Sequence, residues 1–164
     1  MIRVRRSIYI NVLAILIFSL FSLPALGAPF VGGTVTIDLP EGWTAGYDPE
    51  IGQILAESAD KTCRVALQVA DSDGLSDLEM AEVLSSQLQG TAPQKVPGFD
   101  NYYFTTNVND MEMTITLFEL GGKVLVYIEG GDTIKYERDT AQIWNSMTSS
   151  DPLEKALFDS LAKA

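Results

Sequence analysis

The 164-residue sequence contains no histidine and a single cysteine. Without histidine the chain lacks the usual general base near neutral pH and the commonest metal ligand in proteins. Ser-His-Asp and Cys-His catalysis are therefore excluded, and so are ordinary catalytic zinc sites. No glycine-rich phosphate-binding motif precedes a predicted helix. A Ser-Lys pair or a pair of carboxylates stays open, but 22 acidic residues make chance carboxylate pairs abundant. We predict that the protein is not an enzyme and binds no cofactor and no metal.

The single cysteine, Cys63, excludes a disulfide bond within the chain. It alternates with Val65, Leu67 and Val69, which places it on the apolar face of a predicted strand. We expect Cys63 to be buried as a small hydrophobic residue. The alternative, a reactive thiol that pairs with another chain, stays open.

Basic residues are scarce, since 11 Lys and Arg stand against 22 Asp and Glu and give a formal net charge of −11. Such a chain repels nucleic acids and anionic lipid head groups, so we expect neither as a partner. A basic protein partner is one interpretation of the charge. A solvated acidic surface that serves only solubility is the other.

The N-terminal segment has the pattern of an export signal. The first seven residues carry three arginines and no acid, and Ile8–Leu26 is almost wholly apolar. Pro24 then breaks the helix, and Ala25 and Gly27 have the spacing for cleavage after Gly27. The alternative is an uncleaved membrane anchor, which needs about 20 apolar residues. We expect a cleaved signal over 1–27, a periplasmic or secreted protein of net charge −14, and only transient membrane contact.

Alternating apolar residues predict strands over 34–39, 63–70, 101–108, 111–120 and 123–129, with shorter strands near 52–57 and 94–97. Three consecutive strands joined by short turns over 101–129 form an antiparallel meander. The last of them is apolar on both faces, which is typical of a central strand covered on both sides.

Three helices are also predicted. The first covers 76–89 and begins with a capping box formed by Ser76 and Glu79. The second covers about 135–147. The third begins with Asp151 as cap and Pro152 at its first position, after a linker over 148–150. Its expected apolar side consists of Leu153, Ala156, Leu157 and Leu161. We predict an α+β fold, with an antiparallel sheet and packed helices over 28–150 and a short C-terminal helix over 151–164.

Two stretches resemble the PsbP-like α/β/α sandwich superfamily. They are IDLPEGW at Ile37–Trp43 and AQIWNSM at Ala141–Met147, and the order of elements is similar over about 34–148. The resemblance implies a binding or accessory function, because members of this superfamily are mostly non-catalytic. It supplies no catalytic residue, and the helix after Asp151 departs from the basic pattern.

The stretch Asp71-x-Asp73-Gly74 is similar to part of a calcium-binding loop. Aligning Gly74 with the loop glycine puts Val69 and Met80 at ligand positions that require oxygen. A turn that leads into a helix explains the same residues without a metal, and we predict the turn.

Aromatic residues are the candidates for a binding surface, which we predict at Trp43, Tyr103, Tyr127 and Trp144. For Trp43 the alternative is a buried plug at one end of the sandwich. The leading hypothesis is an exported, non-catalytic accessory domain that binds an unidentified envelope protein, with a basic partner as one form. The alternative is a small-molecule-binding protein whose pocket lies between sheet and helix, lined by Tyr103, Tyr127 and Trp144.

Overall fold

The computed structural model describes residues 29–161. The predicted export signal over 1–27 and its cleavage site lie outside the described residues. Within the described range, no helix has both the length and the apolar character that crossing a bilayer requires.

Residues 29–161 form ten strands and three helices. The strands are β1 (Pro29–Gly32), β2 (Val35–Asp38), β3 (Thr44–Asp48), β4 (Gln53–Glu57), β5 (Cys63–Asp71), β6 (Gln94–Lys95), β7 (Tyr102–Val108), β8 (Met111–Leu120), β9 (Lys123–Gly131) and β10 (Thr148–Ser149). The helices are α1 (Asp77–Gln87), α2 (Glu137–Ser146) and α3 (Pro152–Leu161). A large antiparallel sheet has the order β3-β4-β5-β9-β8-β7-β6, and a small one the order β1-β2-β10. The predicted α+β fold is confirmed.

The central part of the large sheet is buried on both faces, as strand β9 shows. This strand lies between β5 and β8. Val124, Val126 and Ile128 point into one core, which α1 covers. Leu125 and Tyr127 point into the other, which α2, α3 and the small sheet cover. The prediction of a central strand at the end of a β7-β8-β9 meander is confirmed.

Helix α1 begins as its sequence indicates. The Ser76 hydroxyl accepts from the Glu79 backbone N–H at 3.3 Å, and the Glu79 carboxylate accepts from the Ser76 N–H at 2.9 Å. At the end of β5, just before the turn that leads into α1, the Asp71 carboxylate forms an ion pair with Lys123 at 2.9 Å. The predicted capping box is present, and Leu75 N–H closes the turn onto the Ser72 carbonyl.

Three short strands, β1, β3 and β10, were absent from the sequence-based prediction. The expected linker at Thr148 is instead β10, which pairs with β2 through Thr148↔Thr36 and Ser149↔Val35. Strand β3 contains Ala, Gly and Asp, which have weak strand propensity, yet it pairs along its length with β4. Strand β10 forms through pairing with a distant segment. Strands β1 and β3 each form a hairpin with the next strand, so pairing and not local composition reveals all three.

The predicted apolar side of α3 is partly wrong, because Leu153 is 55% exposed and Ala156 is also exposed. The face turned to the core has i, i+3, i+4, i+7 spacing and consists of Glu154, Leu157, Phe158 and the half-buried Leu161. Glu154 belongs there because its Oε2 accepts hydrogen bonds from the Thr34 hydroxyl at 2.6 Å and the Ser149 hydroxyl at 2.7 Å. Leu157 and Phe158 place α3 in the same core as α2.

Cys63 is fully buried at the start of β5, as predicted. Burial raises the pKa of its thiol to about 11, and the negative charge of Glu129 adds to the effect. At pH 8 the thiolate fraction is then about a hundredfold below that of a free thiol. We expect the native protein to resist a thiol reagent such as DTNB and to react fully in urea. Rapid labelling of native protein would contradict the burial.

Candidate functional site

A groove of about 620 Å³ lies between α2 and the large sheet. Its floor includes a row of side chains across three strands, since Tyr103 of β7 pairs with Thr116 of β8, which pairs with Tyr127 of β9. Residues paired across antiparallel strands project from the same face of the sheet. Phe118 and Glu129 extend the floor, α2 contributes Thr140 and Trp144, and Val96 and Phe99 line the groove from the β6–β7 connection.

Trp144 joins the helix to the aromatic floor. Its ring meets Tyr127 edge-on, with centroids 4.7 Å apart and planes at 81°, and meets Phe118 at 5.1 Å and 51°. These arrangements are the ones that aromatic pairs prefer. Tyr127 and Phe118 are buried, whereas Trp144 is half-buried. Trp144 therefore packs on two fixed rings and keeps part of its surface open to the groove.

Trp144 lies at the side of helix α2 because other residues of the helix point into the core. Thr140 and Ile143 are buried on the helix, and Met147 continues that face just after its last residue. This spacing of i, i+3 and i+7 directs one stripe of the helix at the core. Trp144 lies next to the stripe, at the boundary between core and groove.

A carboxylate, Glu129, lies on the groove floor. It is two residues from Tyr127 on β9 and on the same face, and the Tyr127 hydroxyl donates to its Oε1 at 3.5 Å. Burial raises the pKa of Glu129, although the hydroxyls of Thr140 and Tyr127 favour the charged form. Burial, followed by the charge of Glu129, also raises the pKa of Tyr127 well above its usual value.

The charged side chains in the described lining of the groove are all acidic. Its described lining contains two carboxylates, Glu129 and Glu137, and neither lysine nor arginine. The raised pKa of Glu129 comes from burial, and no second carboxylate contributes to it. The shift is therefore explained without coupling to a second carboxylate, which is the feature that catalysis by acids alone would require. Within residues 29–161, no three Cys, Asp or Glu side chains are placed to hold a metal ion.

The structure brings together three of the four predicted surface residues, Tyr103, Tyr127 and Trp144, which all line the groove. Tyr103 faces away from Phe104, which is buried in the core beneath α1, as the alternation along β7 predicts. The fourth, Trp43, does not line it.

Trp43 is 1% exposed, so its assignment to a binding surface is wrong and the alternative of a buried plug is correct. Its indole N–H donates to the Asp139 carboxylate at 2.8 Å, and its ring meets Tyr136 edge-on at 5.6 Å. Both partners belong to the beginning of α2. Trp43 thus holds the first turn of the helix that forms the groove wall.

Comparison with known proteins finds a likeness in structure. No protein-family model matches the chain, and no curated protein matches it. A crystal structure from Bacteroides thetaiotaomicron VPI-5482 is similar over 78% of this chain, at 13% identity and a TM-score of 0.48, and the match spans half of that protein's length. The solution structure of the cyanobacterial PsbP from Synechocystis sp. PCC 6803 is similar over 80% of this chain and 98% of its own, at 10% identity and a TM-score of 0.44. The second belongs to the family that the sequence resembles.

Glu129 is the groove residue that sequence reasoning missed. Leu125, Tyr127 and Glu129 occupy successive positions on one face of β9. A carboxylate that continues the core-facing side of a central strand is the signal that could have identified it.

Proposed function

We propose that this protein is a non-catalytic binding domain whose ligand site is the groove between α2 and the large sheet. The observation that carries the proposal is the convergence of Tyr103, Tyr127 and Trp144, from three separate elements, around the partly buried carboxylate of Glu129. Small-molecule sites are concave and mostly apolar, with a few placed polar groups, and commonly enclose about 300–1,000 Å³. The groove meets each of these conditions.

Two further observations support binding without catalysis. The chain has no histidine. Burial raises the pKa of Glu129, and no second carboxylate is among the causes of that shift. The PsbP-like motifs of the sequence imply an accessory function as well. We place the protein outside the cytoplasm, in the periplasm or secreted, on the strength of the export-signal pattern in residues 1–27.

The proposal predicts that the protein leaves its own host with a ligand bound. Native mass spectrometry of the protein purified from that host should show a small additional mass. A Trp144→Ala variant, expressed and purified in the same way, should lose most of that mass because the ring that closes the groove is gone.

An apo spectrum for the parent protein would count against the proposal. So would a mass that the Trp144→Ala variant retains in full, since the ligand would then lie elsewhere. The intact mass of the same sample also reads the cleavage site predicted after Gly27.

The acidic charge supports a second candidate function, in which a basic envelope protein is the partner. Attraction between exposed charges weakens with ionic strength, because the screening length is about 10 Å at 0.1 M salt. A partner that copurifies at low salt and is lost at high salt, in place of a small mass, would favour this candidate.

A further inference from the structure

We infer that the groove binds a small organic cation, an ammonium compound with an apolar body. The inference rests on the proposed function, since it names the class of ligand for the same groove. It is carried by two features of the lining, which are the aromatic rings and the sign of the charge.

The aromatic rings suit a cation. A ring attracts an ammonium group held over its face within about 6 Å, and tryptophan does so most strongly. Here Trp144 lies 4.7 Å from Tyr127 and 5.1 Å from Phe118, centroid to centroid, and Tyr103 stands on the neighbouring floor. Because Tyr127 and Phe118 are buried against Trp144, the rings with surface left for an ammonium group are those of Trp144 and Tyr103.

The charge of the lining points the same way. The hydrogen-bond donor that the structure gives the Glu129 carboxylate is the Tyr127 hydroxyl at 3.5 Å, which carries no positive charge. A partly buried carboxylate without a cationic partner is unfavourable. A bound cation would supply that partner. An anionic ligand would instead meet Glu129 and Glu137, with no basic residue in the described lining.

The shape of the site favours a small molecule as the source of the cation. The groove encloses about 620 Å³ between α2, the sheet and the β6–β7 connection, which is the size of a pocket for one drug-sized ligand. Phe99, 38% exposed at its edge, adds apolar surface for the body of the ligand.

Fluorine NMR of protein labelled with 5-fluorotryptophan tests the inference, because the two tryptophans report on different places. The probe is benzyltrimethylammonium, and its uncharged isostere neopentylbenzene is the control ligand. We expect the cation to shift the Trp144 resonance and leave that of Trp43 unmoved, with an affinity about tenfold above that of the isostere. A Trp144→Phe variant assigns the two signals.

Substitution of the carboxylate provides the matched comparison. Glu129→Gln keeps the shape of the side chain and should lower affinity for the cation about tenfold, with little effect on the isostere. Glu82→Gln removes the same charge from α1, an exposed position on the opposite side of the sheet. Its affinity should stay within about twofold of the parent because the charge is distant and screened.

The pH dependence of binding distinguishes a direct contact of Glu129 with the cation from a purely structural role of that residue, which would not make binding follow its titration. The titratable groups around the Glu129 carboxylate are Tyr127 on β9, Cys63 on β5 and Glu137 on α2. The pKa of Cys63 is raised to about 11 and that of Tyr127 lies well above 10, so both stay neutral at pH 7. Cation affinity should fall as acid protonates Glu129, whose pKa lies above 4.5. Glu129→Gln should remove that part of the change, and Glu82→Gln, on the opposite side of the sheet, should leave it.

The Glu129→Gln substitution should not destabilise the fold. Because burial raises the pKa of Glu129 in the folded state, the folded chain holds this proton more tightly than the unfolded chain. Stability therefore falls as pH rises through the interval between the two pKa values. At neutral pH Glu129→Gln removes that cost, so its urea midpoint should equal or exceed that of the parent. Loss of binding through unfolding would contradict the inference.

Three results would overturn it. Equal affinity for the cation and neopentylbenzene at Trp144 would leave a ligand groove that does not select cations. A tetralysine peptide that binds at Trp144 more tightly than benzyltrimethylammonium would assign the groove to a protein segment. If no probe moves Trp144, the cation inference fails, while the copurified mass still decides whether the groove binds a ligand at all.

Discussion

Replacing Trp43 with alanine is expected to lower the free energy of unfolding by about 3–5 kcal/mol, the usual cost of truncating a buried tryptophan. The side chain is 1% exposed, so its removal leaves a cavity in the core. The Asp139 carboxylate also loses the indole N–H that it accepts at 2.8 Å. Urea denaturation followed by circular dichroism measures the change. Since small domains are stable by about 5–15 kcal/mol in all, the expected loss is a large fraction of the total.

Two variants separate the causes of this loss. Trp43→Phe keeps most of the volume but removes the hydrogen bond, and should cost about 1–2 kcal/mol. Trp144→Ala removes the same kind of side chain from a half-buried position and should cost less than Trp43→Ala while weakening ligand binding more. A Trp43→Ala variant as stable as the parent would show that the plug does not hold α2.

Local patterns were sufficient for the long elements of this fold. Ser76 and Glu79 mark the start of α1 because a capping box involves residues three apart. Strand β9 was recognisable as central because the apolar residues on both of its faces are in the strand itself. Strand β3 was not, because Ala45, Gly46 and Asp48 have weak strand propensity, although its partner β4 is the next strand. Strand β10 was not, because its partner is distant, and Ser149 pairs with Val35 across 114 positions.

The residues of the groove also divide into those that the sequence predicted and those that it did not. The alternative hypothesis of a pocket between sheet and helix named Tyr103, Tyr127 and Trp144, and all three line the groove. That Tyr103 and Tyr127 share a face follows from the strand register, which the sequence does not show. Trp43 stayed ambiguous, since its burial depends on Asp139, which lies 96 positions further along the chain. Glu129 was missed because a charged residue near the end of a strand is usually solvated, and here α2 covers it.

Replacing Gly131 with alanine should destabilise the protein by about 3–5 kcal/mol, through backbone strain together with a steric clash. Gly131 ends β9 with φ at +82°, a conformation that glycine adopts freely and alanine does not. A Cβ there would overlap the backbone carbonyl oxygen of Thr62, which cannot rotate away as a side chain could. Chemical denaturation of the variant measures the cost.

Gly121→Ala is the matched control. Its φ is +62°, but nothing lies within 4 Å of the added Cβ, so only the left-handed penalty of about 1–2 kcal/mol applies. Equal losses at the two positions would show that the Thr62 contact is unimportant.

The clash at Gly131 should also change the structure around the groove. Asp132 N–H donates to the same Thr62 carbonyl at 2.9 Å, and the Asp132 carbonyl accepts from Tyr136 at the start of α2. A Gly131→Ala protein that still folds should therefore show an altered Trp144 fluorine resonance without any ligand, whereas Gly121→Ala should not.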